Sequence, residues 1–483
     1  MNGGCMRWHF IAVALFMASI ATAPAAAASG PCGEPASTAV RWSVEGDPAS
    51  AGFAAQPLCD ALRAFAASPR NLHAVVVERH GRLVAEAYRT GNDSSTYSLA
   101  AREVRFDADV LHDVRSVTKS VVALLWGIAH GEGVVPPVAT PVLDLLPGLA
   151  DLRNVGRERI TVADMLCMRS GLAWDEGGGY GRPDNDERGL LWRGDRARYV
   201  FDRPLAASPG ARFNYNGGLT AVLGLLLEER TGMSLQEYAR RKLFEPLGVR
   251  DWAWVGDLRG RTRAYSGLRL RPRDMARIGR LLLEDGRWQG RQLVPADWVR
   301  AALAPCTPGG EYGYQWWSGS VWVDGRQVGW QGALGNGGQR LFLVPELDLV
   351  VAMTAGEYND GTIGRVQRRL LEQVVAATSE LGAGPAEPVP AQRQEAATMV
   401  ETRATLRAVT EEDGGDRVYV HLKIVPGARL PFTTLRFRVR DRALVAGLAA
   451  GSSVKFRAER IDGENTLVAI RAVPPCVRFQ PCD

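Results

Sequence analysis

The sequence predicts an α+β protein: an antiparallel sheet with flanking helices and a helical subdomain, followed by a small β-barrel of the OB-like kind. Three observations carry this expectation. Strand-type runs stand near both ends of the first 380 residues with helical stretches between them, so the two ends share one sheet. A Pro/Ala/Gly-rich stretch then interrupts the pattern, and beyond it lie β-patterned segments with no long helix. At 483 residues, the chain is also too long for one average domain.

Taken in order, residues 1–28 read as a signal peptide. Arg7 supplies the positive start, Phe10 to Ile20 a short apolar core, and Ala23 to Ala28 small-residue cleavage sites. The expected location is outside the cytoplasm, in the periplasm, with no membrane span. Residues 29–70 form an extension ending in a helix, Pro57 to Ala67. Ala74 to Val77 and Leu83 to Tyr88 are strands separated by His80-Gly81-Arg82. Helices follow at Ser116 to His130, Val162 to Cys167 and Leu219 to Thr231, the last closed by Gly232. Short strands then come at Tyr314 to Trp317, Val321 to Val323, Gln327 to Gly329, Arg340 to Val344 and Leu349 to Thr354, with Asp324-Gly325 as a hairpin turn. A helix from Ile363 to Thr378 closes this domain, 71–380. Residues 381–400 are a linker, and 401–483 hold the barrel, with strands at Val418 to Ile424, Leu435 to Val439, Ser453 to Ala458 and Thr466 to Ala472.

Composition narrows the function. Hydrophobic residues make up 46% and charged residues 23%, ordinary globular values. The net charge is +5 with no Lys/Arg block, so nothing favours nucleic-acid binding. No histidine stands in a ligand spacing, which argues against a metal hydrolase. No G-x-S-x-G occurs, and His112, one turn before Ser116, is expected to be a bystander. Of 58 Lys plus Arg, only Lys119, Lys242, Lys423 and Lys455 are lysine, the cation able to give up its proton when desolvated. Beyond the signal, six cysteines remain; the expected local pairs are Cys32 with Cys59 and Cys476 with Cys482, leaving Cys167 and Cys306 as a third pair or two buried thiols.

Three elements carry chemistry. Ser116-Val117-Thr118-Lys119 heads an apolar helix, and residues i and i+3 share a face, so the hydroxyl and ammonium come within reach. Pro209 to Gly218 is a loop bearing Tyr215, a candidate proton carrier, beside Asn216 and Gly217. Gly335-Asn336-Gly337-Gly338-Gln339 opens a strand whose glycines allow close backbone approach to a substrate.

As a set, Ser116-x-x-Lys119, Tyr215-x-Gly217 and Asn336-Gly337-Gly338 resemble the active-site elements of the serine β-lactamase and penicillin-binding protein superfamily. The nearer likeness is to the class C β-lactamase-like branch, which includes esterases, D-amino-acid peptidases and 6-aminohexanoate-oligomer hydrolases. It covers about residues 70 to 378. The resemblance implies a β-lactamase-like fold and an acyl-enzyme route on ester or amide bonds of a small-molecule or peptide-like substrate, without cofactor or metal. Ser116 would be acylated, Lys119 would tune it, and Tyr215 would relay protons. The backbone N–H groups of Ser116 and Gln339 would form the oxyanion hole, with Asn336 and Gly338 on the strand side.

Two positions depart from the pattern: Gly217 stands where Asn or Ser is usual, with Asn216 as the neighbouring substitute, and Asn336 stands where a lysine is usual. Both argue for neutral substrates, with Arg340 as a candidate replacement cation. The alternative reading is a slow penicillin-recognising or cell-wall peptide-binding module. Trp174, Trp192, Trp316, Trp317 and Trp330 are candidates to line an apolar cleft.

The C-terminal segment, His421 to Phe437 and Leu448 to Phe456, resembles the small β-barrel of periplasmic copper chaperones. Leu430, Thr433, Leu435 and Leu422 stand where that family's Trp, Met and His ligands would be, so the resemblance implies the barrel without its Cu(I) site.

Overall fold

The computed structural model describes residues 32–33, 39–94, 100–153, 156–177, 182, 184–307, 310–378, 402–412, 417–424, 434–461 and 464–474. The signal sequence, the linker, Leu430, Thr433 and the Cys476/Cys482 pair lie outside them. The chain divides into two compact units, 1–383 and 384–483.

In the first unit, seven strands follow one path: β1 (Val40–Val44), β2 (Leu72–Arg79), β3 (Arg82–Asp93), β4 (Trp317–Val323), β5 (Arg326–Gly335), β6 (Gln339–Val344) and β7 (Leu349–Ala355). Their order is β1-β3-β2-β7-β6-β5-β4, with an eighth strand, Arg102–Arg105, paired to β3. Strands from the two ends of the unit meet where β2 pairs antiparallel with β7, Val76 opposite Ala352.

Side-chain alternation explains why both faces are covered. On β2, Ala74 and Val76 join one core while Val75 and Val77 join the other. The second core also holds Leu58, Phe65, Leu370 and Leu371 from helices α1 (Ala55–Ala67) and α5 (Ile363–Ala376). The first holds α2 (Val117–Gly131), α3 (Gly217–Thr231) and α4 (Pro272–Leu283), together with Leu341, Leu343 and Val350 of the sheet. Each fully buried aliphatic side chain here contributes about 1.5–3 kcal/mol.

Helix α2 fixes the site. Every residue from Val117 to Ala129 is buried, as expected of a helix apolar all round that crosses the centre of a core. Two disulfides, Cys32–Cys59 and Cys167–Cys306, tie this unit.

The second unit contains a closed five-stranded barrel: β8 (Thr402–Glu412), β9 (Arg417–Ile424), β10 (Thr434–Val439), β11 (Ser453–Ile461) and β12 (Glu464–Ala472), in the order β8-β9-β10-β12-β11. Its interior is apolar, with Phe437 against Phe456. Leu422 is fully buried in this core and Leu435 packs against it.

Candidate active site

Arg115 enters α2 with φ of 51°, in the left-handed region that costs a side-chain-bearing residue about 1–3 kcal/mol. Ser116 follows at the helix N-cap in helical conformation, and its hydroxyl makes no capping bond. The hydroxyl is therefore free for other partners. Lys119, only 1% exposed, donates from Nζ to Ser116 Oγ at 3.0 Å, to the Tyr265 carbonyl at 2.9 Å and to Glu187 Oε2 at 3.4 Å. Those three contacts match the three protons of an ammonium group.

Tyr215 ends the loop before α3. Asn216 caps that helix by accepting from the Leu219 N–H at 3.2 Å, which sets the tyrosine's direction. Ser116 stands near enough to the phenol to lower its pKa, and Lys119 Nζ stands 5.0 Å from its ring centre. Burial first, then the Glu176 charge, hold this phenol well above the ordinary tyrosine range, with Ser116 partly opposing them. Trp317 stacks on the ring at 5.8 Å. Asn216 itself is 1% exposed and serves the helix cap, away from the cleft.

Glu176 and Glu187 complete the cluster, and neither belongs to a sequence motif. Glu187, in the single helical turn Asp186–Gly189, is 2% exposed. Glu176 Oε2 accepts from Trp174 Nε1 at 2.6 Å and from the Gly217 N–H at 2.7 Å. Burial, and then the Glu187 charge, push the Glu176 carboxyl up to about 7, against the lowering effect of Lys119 and its hydrogen bonds.

The glycine at 217 now has a physical cause. A Cβ there would stand 2.6 Å from Glu187 Oε2 and 3.1 Å from Glu176 Oε2. The two carboxylates occupy the space that a side chain on this residue would need.

On the strand side, β5 runs on to Gly335, and Gly335 pairs with Gln339, so Asn336, Gly337 and Gly338 form the hairpin turn that opens β6 at Gln339. The cleft wall is built by Leu334, Gly335, Asn336 and Gly337; Gly338 and Gln339 do not line it. Gln339 is buried, and its amide donates to the Ala355 carbonyl at 2.6 Å. β4 pairs with β5 only as far as Gly332, which leaves the β5 edge beyond it without a strand partner among the described residues. A Cβ on Gly335 would meet the Val114 carbonyl at 2.4 Å, which places this edge against the approach to Ser116. Asn336 exchanges hydrogen bonds with Asn359, at 3.0 Å from its amide and 2.8 Å to its carbonyl oxygen.

These elements enclose a cleft of about 610 Å³ bounded by Ser116, Trp174, Glu176, Tyr215, Trp317 and Arg340. Arg340 donates to the Gly335 and Gln339 carbonyls, and burial, with the Arg368 charge, pushes its guanidinium down to about 10. Of the five tryptophans, Trp174 and Trp317 reach the cleft. Trp316 is core, Trp330 packs on Phe342, and Trp192 is exposed elsewhere. His112 is buried, stacked on Phe106 and paired with Thr354, away from the cleft.

Residues 70–408 match the family described as Beta-lactamase. The 6-aminohexanoate-dimer hydrolase of Paenarthrobacter ureafaciens is 30% identical over 302 residues, 58% of this chain and 71% of that protein. Esterase EstB of Burkholderia gladioli is 31% identical over 191 residues, 37% of this chain and 46% of the esterase. Among solved structures, EstCE1, a hydrolase with promiscuous acyltransferase activity, aligns with a TM-score of 0.51 at 17% identity, over 66% of this chain and 99% of that one. The octameric penicillin-binding protein homologue from Pyrococcus abyssi gives 0.50 at 18%, over 87% and 96%. At these identities the structural matches speak to the fold.

Proposed function

This chain belongs to the Beta-lactamase family, and on that premise we propose that it is an exported serine hydrolase that cleaves ester or amide bonds through an acyl-enzyme on Ser116. The observation that carries the proposal is the 3.0 Å contact between Lys119 Nζ and Ser116 Oγ at the floor of the cleft, with Tyr215 lining the same cleft as the serine.

Ser116 Oγ attacks the substrate carbonyl and its proton leaves toward Lys119. Tyr215 is a neutral phenol in this setting, because burial disfavours the phenolate. It therefore acts as a relay, giving its proton to the leaving group as it takes one from the Ser116–Lys119 side. In deacylation the same route runs backwards from water. The oxyanion receives the Ser116 N–H at the head of α2, where the helix dipole favours negative charge. For the second donor we assign the free β5 edge at Leu334 to Asn336 in place of Gln339. The names of the two sequence relatives, an amide and an ester hydrolase, support this substrate range. Export is supported by the leader sequence and by two disulfides, a feature of oxidising compartments.

The test is the intact mass of the protein after exposure to a fluorophosphonate and, separately, to a penicillin. One adduct on wild type and none on Ser116→Ala is the expected result. Decay of the penicillin adduct would mark a hydrolase, and its persistence a slow binder. No adduct on folded wild type would refute an activated Ser116.

A further inference from the structure

The serine-hydrolase reading leaves the acidic side of the cluster without a task. Lys119 Nζ touches Ser116 on one side and Glu187 on the other, at 3.0 and 3.4 Å. Glu187 Oε2 and Glu176 Oε2 both lie within about 3 Å of where a Cβ on Gly217 would stand, at 2.6 and 3.1 Å. One buried ammonium thus touches Glu187 with Glu176 close by, and the Glu187 charge adds to burial in raising the Glu176 carboxyl.

We propose that Glu187 and Glu176 are the proton store of the nucleophile: as Ser116 attacks, its Oγ proton passes to Lys119 Nζ while an Nζ proton passes to the carboxyl pair, so that the step ends with one proton shared by the two glutamates. The balance is closed. The serine O–H and one lysine N–H break, and a new lysine N–H, a carboxyl O–H and the Oγ–carbon bond form. Lys119 is an ammonium before and after, and the negative charge moves from the carboxyl pair to the oxyanion. The store empties through Lys119 and Tyr215 when the leaving group departs. Glu187, which touches Nζ, receives the proton, and Glu176 beside it is the carboxyl with which that proton is shared.

The competent state is the one in which both carboxyls are ionised. Acylation therefore rises with pH until the pair has lost its proton, near the value of about 7 to which Glu176 is pushed. The titratable and charged groups around the pair agree with this sign. Lys119 on α2 is the cation, while Tyr215 and Tyr312 are phenols held neutral by burial. Tyr265 behind Lys119 is pushed up to about 12. Next in chain, Asp186 is held by Arg203 and Asp175 lies at the exposed rim. Arg263 and Arg196 stand beyond Tyr265.

This inference rests on the proposed acylation of Ser116, and the experiment separates the two. The second-order rate of fluorophosphonate inactivation is measured from pH 5.5 to 9 for wild type, Glu176→Gln, Glu187→Gln and Glu187→Asp, with circular dichroism as the check on folding. Wild type should rise about tenfold per pH unit and level off near 7. Glu176→Gln should remove the inflection near 7, because Glu187 then loses its like-charged neighbour, and should lower the rate above pH 7 by about tenfold. Glu187→Asp should recover part of the rate lost in Glu187→Gln. A reactive wild type whose profile superimposes on that of Glu176→Gln would overturn the proton store and leave the nucleophile standing. A folded wild type that never reacts would overturn both. Should Glu187→Gln fail to fold, the Glu176→Gln profile decides alone.

Discussion

Restoring the side chain that the tyrosine motif lacks, by Gly217→Asn, separates a permissive glycine from a required one. Helix propensity alone favours Asn over Gly by about 0.3–0.5 kcal/mol at a helical position, so a permissive site predicts slight stabilisation. The structure predicts the reverse. The new Cβ would stand 2.6 Å from Glu187 Oε2 and 3.3 Å from its Cδ. Relief requires a carboxylate shift of nearly 1 Å, which a group that is 2% exposed and held by Lys119 cannot make freely. Overpacking costs about 1–3 kcal/mol, and a buried pair broken outright about 3–5 kcal/mol. Partial displacement therefore costs about 2–3 kcal/mol. For a unit of this size that lowers Tm by about 3–4 °C. Thermal melts followed by circular dichroism would measure the loss, and fluorophosphonate inactivation would report Lys119 losing its place. Gly217→Ala isolates the Cβ, and in an Glu187→Ala background the penalty of Gly217→Asn should shrink by more than 1 kcal/mol, as expected for residues in contact. A Gly217→Asn protein as stable and reactive as wild type would refute the argument.

Lys119→Arg should lower fluorophosphonate reactivity by at least about 100-fold, because arginine keeps its proton and its planar group does not fit the three contacts of the buried ammonium; a near-normal rate would remove Lys119 from the mechanism. Replacing Cys167 and Cys306 together by alanine should destabilise the first unit by about 2–5 kcal/mol in urea unfolding, since the bridge closes a loop with a sequence separation of 139 residues. Acid should also destabilise the fold through His73, which burial lowers from 6.5 to about 4. A depressed basic group gives its full stabilisation above the unfolded value and loses it as pH falls from 6.5 toward 4, in total about 3 kcal/mol. His112 shifts the same way, by burial. Unfolding at pH 4.5 and 7 should show a smaller acid loss for His73→Gln than for wild type.

What was legible in the sequence is what local spacing determines. The Ser116–Lys119 contact follows from one helical turn, and the sheet follows from apolar alternation in β2 and β7. The turn at Asn336 to Gly338 was ambiguous because a glycine-rich run serves equally to open a strand or to reverse the chain. Once Gly335 pairs with Gln339, a buried side chain replaces the expected cleft residue, and the open edge passes to the end of β5. Register decides which residues face a site, and nothing local to five residues fixes it.

The carboxylates were illegible for a different reason. Glu187 is 68 positions from Lys119, and an isolated glutamate carries no periodic signal. The visible trace was Gly217 itself, a departure from the motif's usual Asn or Ser. In space, loss and gain are one change: a glycine at 217 leaves the room in which Glu187 reaches the lysine and Glu176 lies beside it. The strand side follows the same logic. Asn336 lacks the usual cation, yet Arg340 brings a guanidinium to the same cleft from β6. On the proposed reading both departures are balanced by residues outside the motif, and substituting the motif position alone should harm the site instead of repairing it.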